Sequence, residues 1–141
     1  MSTEMNEQQY TPAERDQDLV NVGIAKSAHP KLQRLKEDGH FNEMVDAYRF
    51  AVALALAHGG ATTDFTERQN LFNIGTFDPD RSLHTAVATL RLPTSESVYK
   101  TVERLATWGV EELDRRSQRG MLSFAEILSE AEDLLSKEEE H

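Results

Sequence analysis

The chain contains no cysteine, so it can form neither a disulfide nor a thiolate zinc site. Its 4 prolines and 7 glycines are few, which favours helices over turn-rich β architectures. The longest apolar run, residues 47–57, is interrupted by Arg49 and is too short to cross a bilayer. Residues 1–18 lack the basic and apolar regions of a signal peptide, and we therefore expect a cytoplasmic protein.

The chain is acidic overall, with 25 Asp and Glu against 15 Lys and Arg and a formal net charge of −10. This excess argues against a dedicated non-specific nucleic-acid binder, because phosphates would be repelled. One segment is different. Residues 19–36, here called the basic window, contain no acidic residue and carry Lys26, Lys31, Arg34 and Lys36.

The length of 141 residues suits one compact domain, and 38% hydrophobic residues suffice for one core. Residues 1–18 are polar and acidic and are expected to form a mobile tail. We expect a single helical domain over residues 19–135 and an acidic C-terminal tail over residues 136–141.

A short strand is predicted over residues 19–25, where apolar and small or polar residues alternate. Alternation would turn Val20, Val22 and Ile24 inward and Asn21, Gly23 and Ala25 outward. A lone strand leaves its backbone unpaired, so it needs a partner. That partner is either within residues 70–77 or the same strand of another subunit.

Helical periodicity and cap signals predict a mainly α fold, a compact bundle of about five helices with a short N-terminal strand. The helices are expected over residues 28–38, 42–58, 78–92, 96–119 and 124–135. The predicted N-caps are Ser27, Asn42, Asp78, either Thr94 or Ser95, and Ser123. Glycines follow three of the helices, at Gly39, Gly59 and Gly120, while Pro93 ends the third. The long helix has one apolar face, made by Val98, Val102, Leu105, Ala106, Gly109 and Leu113.

The sequence contains no recognisable catalytic or metal-binding motif. No two of the histidines, among them His29 and His58, sit four residues apart on a helix with a carboxylate partner, as a preset zinc site would require. Asp78 and Asp80 lack the remaining positions of a calcium loop, and helix capping explains Asp78 better. We therefore expect a non-enzymatic protein without metal or cofactor.

The helix over residues 42–58 is apolar on nearly all sides, which predicts burial either at the centre of the domain or between subunits. The second possibility makes the chain a homo-oligomer, with Tyr48, Arg49, Val52 and Trp108 as candidate interface residues. Two alternatives stay open: Arg49 pairs with Asp46 three residues earlier, and Trp108 belongs to the core.

The order of strand, short helix and longer helix matches the ribbon-helix-helix layout of DNA-binding transcriptional regulators, in which strands of two subunits pair and enter the major groove. Of the outward strand residues, only Asn21 has a group suited to a base edge. The candidate phosphate contacts are Lys26, Lys31, Arg34 and Lys36, which position a protein without specifying sequence.

The segment over residues 32–59 also resembles small proteins associated with DNA phosphorothioation (Dnd-type) systems. The matching residues are Leu35, Lys36, Glu37, Asp38, Phe41, Phe50, Ala51, Ala53, Leu54 and Gly59. The order of elements agrees over about residues 20–115, but after Gly60 this chain has TTDFTERQNLF where the family tends to have a basic loop. The resemblance implies an accessory or regulatory role in a DNA-modification, restriction or defence system, through a protein partner or DNA. It brings no catalytic residues.

Overall fold

The computed structural model of the chain describes residues 20–90, 96–120 and 123–139. In chain order the elements are β1 (Asn21–Ala25), a 3-10 turn (Lys26–Ala28), α1 (His29–Glu37), α2 (Met44–Ala57), β2 (Arg68–Asn73), α3 (Ile74–Phe77), α4 (Ser82–Leu90), α5 (Val98–Gln118) and α6 (Phe124–Glu139). The predicted mainly α fold is confirmed, with the single turn α3 as an extra helix. None of the helices in the described ranges is long and apolar enough to cross a membrane.

Helix α5 is the central element, and it contacts α1, α2, α4 and β1. Its predicted apolar face is confirmed, since Val98, Val102, Leu105, Ala106, Gly109 and Leu113 are all buried. The hydroxyl of Ser97 caps the helix by accepting a hydrogen bond from the Lys100 amide at 3.2 Å. The caps predicted at Thr94 or Ser95 lie outside the described residues, as does Pro93.

Helices α2 and α5 cross at very close range, and Gly109 makes this possible. A Cβ atom at Gly109 would lie 2.7 Å from the Ala51 Cα and 2.6 Å from its carbonyl carbon. Both Ala51 and the neighbouring Ala55 are fully buried. The two backbones therefore meet through small residues, and the larger side chains of both helices pack on either side.

The N-terminal strand is confirmed as β1, and it pairs antiparallel with β2 of the same chain. Residues 70–73, part of the segment proposed as its partner, supply most of the pairing. The expected alternation was wrong, because Gly23 and Ala25 are buried together with Val22 and Ile24. The reason is that α5 covers the strand on the side away from β2.

Two of the predicted N-caps were also wrong. Ser27 lies inside the 3-10 turn, and α1 begins after Ala28 without a side-chain cap. Helix α2 begins after Glu43, again without a side-chain cap, so Asn42 does not cap it. Helix α1 follows directly from the 3-10 turn, whereas Glu43 before α2 is extended, which moves each start one residue beyond the predicted cap.

The N-cap predicted at Asp78 was wrong in position, although the Asp78 carboxylate does bind the first free amides of the next helix. This carboxylate accepts hydrogen bonds from the amides of Leu83 at 3.0 Å and His84 at 2.9 Å, and from the Tyr99 hydroxyl at 2.9 Å. Helix α4 thus begins at Ser82 rather than at Pro79. Because Asp78 is buried and bonded to α4 and α5, it fixes these two helices relative to each other.

Predicted helix ends are largely confirmed. Gly39 and Gly59 follow α1 and α2 with φ of 83° and 76°, a conformation that glycine adopts without strain. The Ser123 hydroxyl accepts from the Glu126 amide at 3.4 Å, as the cap signal predicted. Helix α6 continues to Glu139, past the predicted end at Leu135.

We expect Gly109→Ala to lower the free energy of unfolding, by about 1–3 kcal/mol, because the added methyl group forces α2 and α5 apart. In an open helix the same change would stabilise by up to about 1 kcal/mol, so the sign of the effect tests the contact. Chemical denaturation of the purified variant and the parent measures it. An unchanged or raised stability would contradict the close crossing.

Candidate functional site

The basic window lies beside the C-terminal half of α5, and α5 is acidic at that place. The Lys31 ammonium lies 3.7 Å from a carboxylate oxygen of Glu111. The Arg34 guanidinium holds Asp114 through Nε at 3.1 Å and Nη2 at 2.9 Å. Two of the four candidate phosphate-binding cations are therefore engaged with carboxylates of their own chain.

The other candidates are exposed at separate positions. Asn21 begins β1, Lys26 lies in the 3-10 turn and Lys36 lies in the last turn of α1. Neither lysine has a carboxylate partner within the part of the chain that the structure describes. These two lysines are the remaining free cations of the basic window.

Strand β1 is bonded along both edges. On the edge away from β2, the Gly23 amide donates to Glu103 Oε2 at 2.8 Å and the Ala25 amide donates to the Thr107 hydroxyl at 3.2 Å. The Tyr48 hydroxyl donates to the Gly23 carbonyl at 2.6 Å. Because side chains of α5 and α2 use these backbone groups, β1 has no edge left for the strand of a second subunit.

Glu103 is the centre of this contact. Its carboxylate is almost fully buried and also accepts from Arg68, through Nε at 3.2 Å and Nη2 at 2.7 Å. The bond to Glu103 raises the pKa of Arg68, and burial followed by the Glu103 charge raises the pKa of the Tyr48 phenol. Tyr48 is thus a neutral donor within a hydrogen-bonded cluster that joins β1, β2, α2 and α5.

The candidate interface residues divide into two groups. Tyr48 and Val52 are fully buried within the single chain, so their expected place at a subunit surface was wrong. Arg49 contacts Asp46 at 3.3 Å, which confirms the expected pair, and also donates to the carbonyls of Phe77 and Thr76 at 3.0 and 2.8 Å. It therefore ties α2 to α3.

Trp108, the only tryptophan, is half-buried and lines an open groove of about 460 Å³ between α1 and the C-terminal half of α5. We call it the Trp108 groove. Its charged lining consists of Lys31, Arg115 and Arg119 with Glu111, Glu112 and Asp114, and Gln118 completes it. Trp108 therefore lies among charged side chains, and tryptophan and arginine are enriched at the energetic centres of protein interfaces.

The charges of the Trp108 groove are not balanced once internal pairs are considered. Asp114 is held by Arg34, and Glu112 is held by Arg116 at 2.7 Å and by Arg115. Arg119 is exposed and has no ion pair with a described residue. The groove thus offers positive charge on a protein that is otherwise acidic.

A second ion-pair network fastens α6 next to the Trp108 groove. Glu130 of α6 accepts from Arg116 at 3.0 and 3.1 Å, and one of its oxygens lies 2.9 Å from Nε2 of His58. The His58 ring in turn packs against Trp108, with the ring centres 5.2 Å apart. His58, directly after α2, therefore contacts both Trp108 of the groove and Glu130 of α6.

Sequence reasoning missed most of these contacts. The pairs Lys31–Glu111, Arg34–Asp114 and Arg68–Glu103 join residues far apart in the chain, and no local pattern marks them. The same holds for the contact of the Ser117 hydroxyl with His40 at 3.2 Å, which ties the loop after α1 to the end of α5. No local signal marks the acidic partners, since Glu103 and Asp114 are buried despite their charge. Within the described ranges, no group of three or more His, Asp or Glu residues could hold a metal ion.

We expect Glu130→Gln to lower stability by at most about 1 kcal/mol at neutral pH, since the carboxylate is partly exposed. The hydrogen bond from Arg116 lowers the pKa of Glu130 in the folded chain. The ion pair therefore stabilises the fold fully above a pH of about 4.3, which is the pKa of a glutamate in the unfolded chain. This stabilisation is lost as the pH falls through the lower pKa that Glu130 has in the folded chain. Denaturation of parent and variant at several pH values measures the difference.

The exposed Asp133→Asn on the same helix serves as the control and is expected to change stability little. A difference between parent and Glu130→Gln that persists unchanged at pH 3 would contradict the role of the ion pair.

Comparisons of this chain with protein-family models, curated proteins and solved structures find no match, so the function has to be argued from the site itself.

Proposed function

We propose that the chain is a non-enzymatic accessory or regulatory protein that binds another polypeptide chain through the Trp108 groove. The observation that carries this proposal is a half-buried tryptophan beside arginines that have spare hydrogen-bonding capacity. Tryptophan and arginine are the residues most enriched at the energetic centres of protein interfaces. The resemblance of residues 32–59 to Dnd-associated proteins favours a partner from a DNA-modification or defence system.

A protein partner is better supported than DNA. Two cations of the basic window are paired with Glu111 and Asp114, so they are not free to bind a phosphate backbone. The ribbon-helix-helix alternative has less support, because β1 pairs with β2 and its other edge is bonded to α5. Of its outward strand residues only Asn21 is exposed.

The lining of the Trp108 groove also favours binding over catalysis. It contains carboxylates, basic groups, an amide and an indole, and it includes neither hydroxyl nor imidazole side chains among the described residues. Although burial acts to raise the pKa of Glu112, hydrogen bonds from Arg116 and Arg115 lower it, which favours the ionised form over a role in proton transfer. We also propose that the protein works in the cytoplasm, in keeping with its lack of cysteine.

A pull-down from the native host tests the function. We expect the tagged chain to retain a protein from the same DNA-modification or defence system, and Arg119→Glu to lose it, because the variant reverses the free charge of the groove. Lys36→Glu is a matched control, since Lys36 is also an exposed base at a helix C-terminus. Equal recovery with both variants would reject the groove as the binding surface.

A DNA titration tests the alternative. We expect no measurable binding of duplex DNA from the chain's own promoter at low salt, because only Lys26 and Lys36 remain free in the basic window. Fluorescence anisotropy with labelled DNA measures it. Tight binding with a steep salt dependence, flattened by Lys26→Ala or Lys36→Ala, would instead support a DNA-binding regulator.

A further inference from the structure

Helix α6 is held to the rest of the chain by few of its described side chains. Ile127 is the buried one among them, while Glu130, Ala131 and Leu134 are half-buried. The ion pair of Glu130 with Arg116 uses a carboxylate that is 36% exposed, and a pair so exposed contributes little stability. An element with few buried apolar side chains can open while the rest of the chain stays folded.

The residues that hold α6 adjoin the Trp108 groove. Arg116 binds Glu130 of α6 and also Glu112, which lines the groove. His58 lies with Nε2 at 2.9 Å from Oε1 of Glu130, and its ring packs against Trp108. We call the surface formed by His58 and Arg116 the α6 seat. Release of α6 therefore frees a guanidinium and an imidazole directly beside the groove.

One group of the α6 seat is not satisfied by α6. The Nε2 atom of His58 is buried, and although Oε1 of Glu130 lies close to it, no described atom completes a hydrogen bond with it. A buried ring nitrogen without a well-directed partner costs free energy. Helix α6 thus fills its seat without matching it fully, and a carboxylate in line with Nε2 would bind more favourably.

Helix α6 itself shows which chemistry covers this surface. Ile127 joins the hydrophobic core, and Glu130, three residues later on the same side of the helix, accepts from both Nη atoms of Arg116 at 3.0 and 3.1 Å. The occupant is an amphipathic helix that places a carboxylate one turn after an aliphatic side chain. A helix of another protein with the same two residue types at this spacing has the chemistry to take its place.

We propose that α6 is an autoinhibitory helix, and that the partner protein displaces it from the α6 seat with an acidic amphipathic helix of its own. This inference rests on the proposed function, in which the adjacent Trp108 groove binds a protein, and it adds the class of partner and a regulatory step. Because α6 is tethered, its high local concentration keeps weak competitors out. A partner that binds the groove as well gains contacts that α6 lacks.

Charge reversal tests the release of α6. We expect Glu130→Arg to lower the hydrogen-exchange protection of residues 127–134 at least about tenfold, because the new guanidinium faces Arg116 and His58. Residues 98–113 should keep the protection of the parent, which shows that the rest of the chain stays folded.

Two further variants control for the substitution itself. Glu132→Arg makes the same change at an exposed carboxylate of the same helix that has no ion pair with a described residue, and it should leave the protection unchanged. Arg116→Glu combined with Glu130→Arg should restore the protection, since the two charges are then opposite again.

A labelled peptide that spans residues 123–139 is the probe of the vacated seat. We expect it to bind the Glu130→Arg chain at least about tenfold more tightly than the parent, because the α6 of the parent competes with it. The same peptide carrying Glu130→Arg should not bind, whereas a peptide carrying Glu132→Arg should bind like the unchanged one. Fluorescence anisotropy of the label measures binding, and emission of Trp108, the only tryptophan, should change with it.

Three results would overturn the inference. The first is full protection of α6 in Glu130→Arg, and the second is a peptide that does not bind this variant. The third is a dimer of the parent that the peptide dissociates, which would assign the seat to α6 of a second copy.

The pull-down from the native host separates this inference from the proposed function. We expect Glu130→Arg to recover more of the captured protein than the parent, and an excess of the peptide to lower that recovery. Equal recovery with the parent, Glu130→Arg and Glu132→Arg would reject autoinhibition and leave the proposed function standing. Recovery of no protein by any of these chains would reject the proposed function, and this inference with it.

Discussion

The buried carboxylate of Glu103 is the interaction on which the arrangement of this chain depends. It accepts the Gly23 amide and both donors of Arg68, so it joins β1, β2 and α5 at one point. Without it, the Gly23 amide would lose its acceptor in the core, whereas the exposed Arg68 guanidinium could still be hydrated. Leaving one buried amide without a partner costs about 1–3 kcal/mol, a sizeable part of the stability of a small domain. The carboxylate therefore specifies where β1 lies along α5.

The position of the basic window follows from this contact. Once Gly23 and Ala25 are bonded to Glu103 and Thr107, the chain runs along α5 toward its C-terminus. Helix α1 then lies beside the acidic second half of α5, where Lys31 and Arg34 meet Glu111 and Asp114. The same placement of α1 forms one wall of the Trp108 groove. A segment whose composition suggests phosphate binding thus serves mainly to hold two elements together and to shape a surface.

The helices could be predicted because residues close together in the sequence determine where each helix forms and ends. The apolar face of α5 repeats at helical spacing, and the glycines after α1 and α2 adopt the positive φ that ends a helix. The pairing of β1 with residues 70–73 was one of two alternatives, and sequence alone had no means to choose between them. Burial of Gly23 and Ala25 was not predictable, and burial of Tyr48 and Val52 at the centre of the domain was one of two alternatives for their helix. This burial depends on α5 covering β1 and α2, and those contacts join residues separated by dozens of positions.

Net charge and local charge act over different distances in this molecule. The net charge of −10 makes two copies, or a copy and an acidic partner, repel each other at long range. At about 0.1 M salt that repulsion decays over about 10 Å, so it acts on the approach of two molecules more than on groups in contact. The free guanidinium of Arg119 and the apolar surface of Trp108 act only at contact, where the groove carboxylates are already held by Lys31, Arg34 and Arg116. The internal ion pairs therefore do more than stabilise the fold. By neutralising Glu111, Glu112 and Asp114, they leave Arg119 as an unpaired positive charge on the groove of a strongly acidic protein.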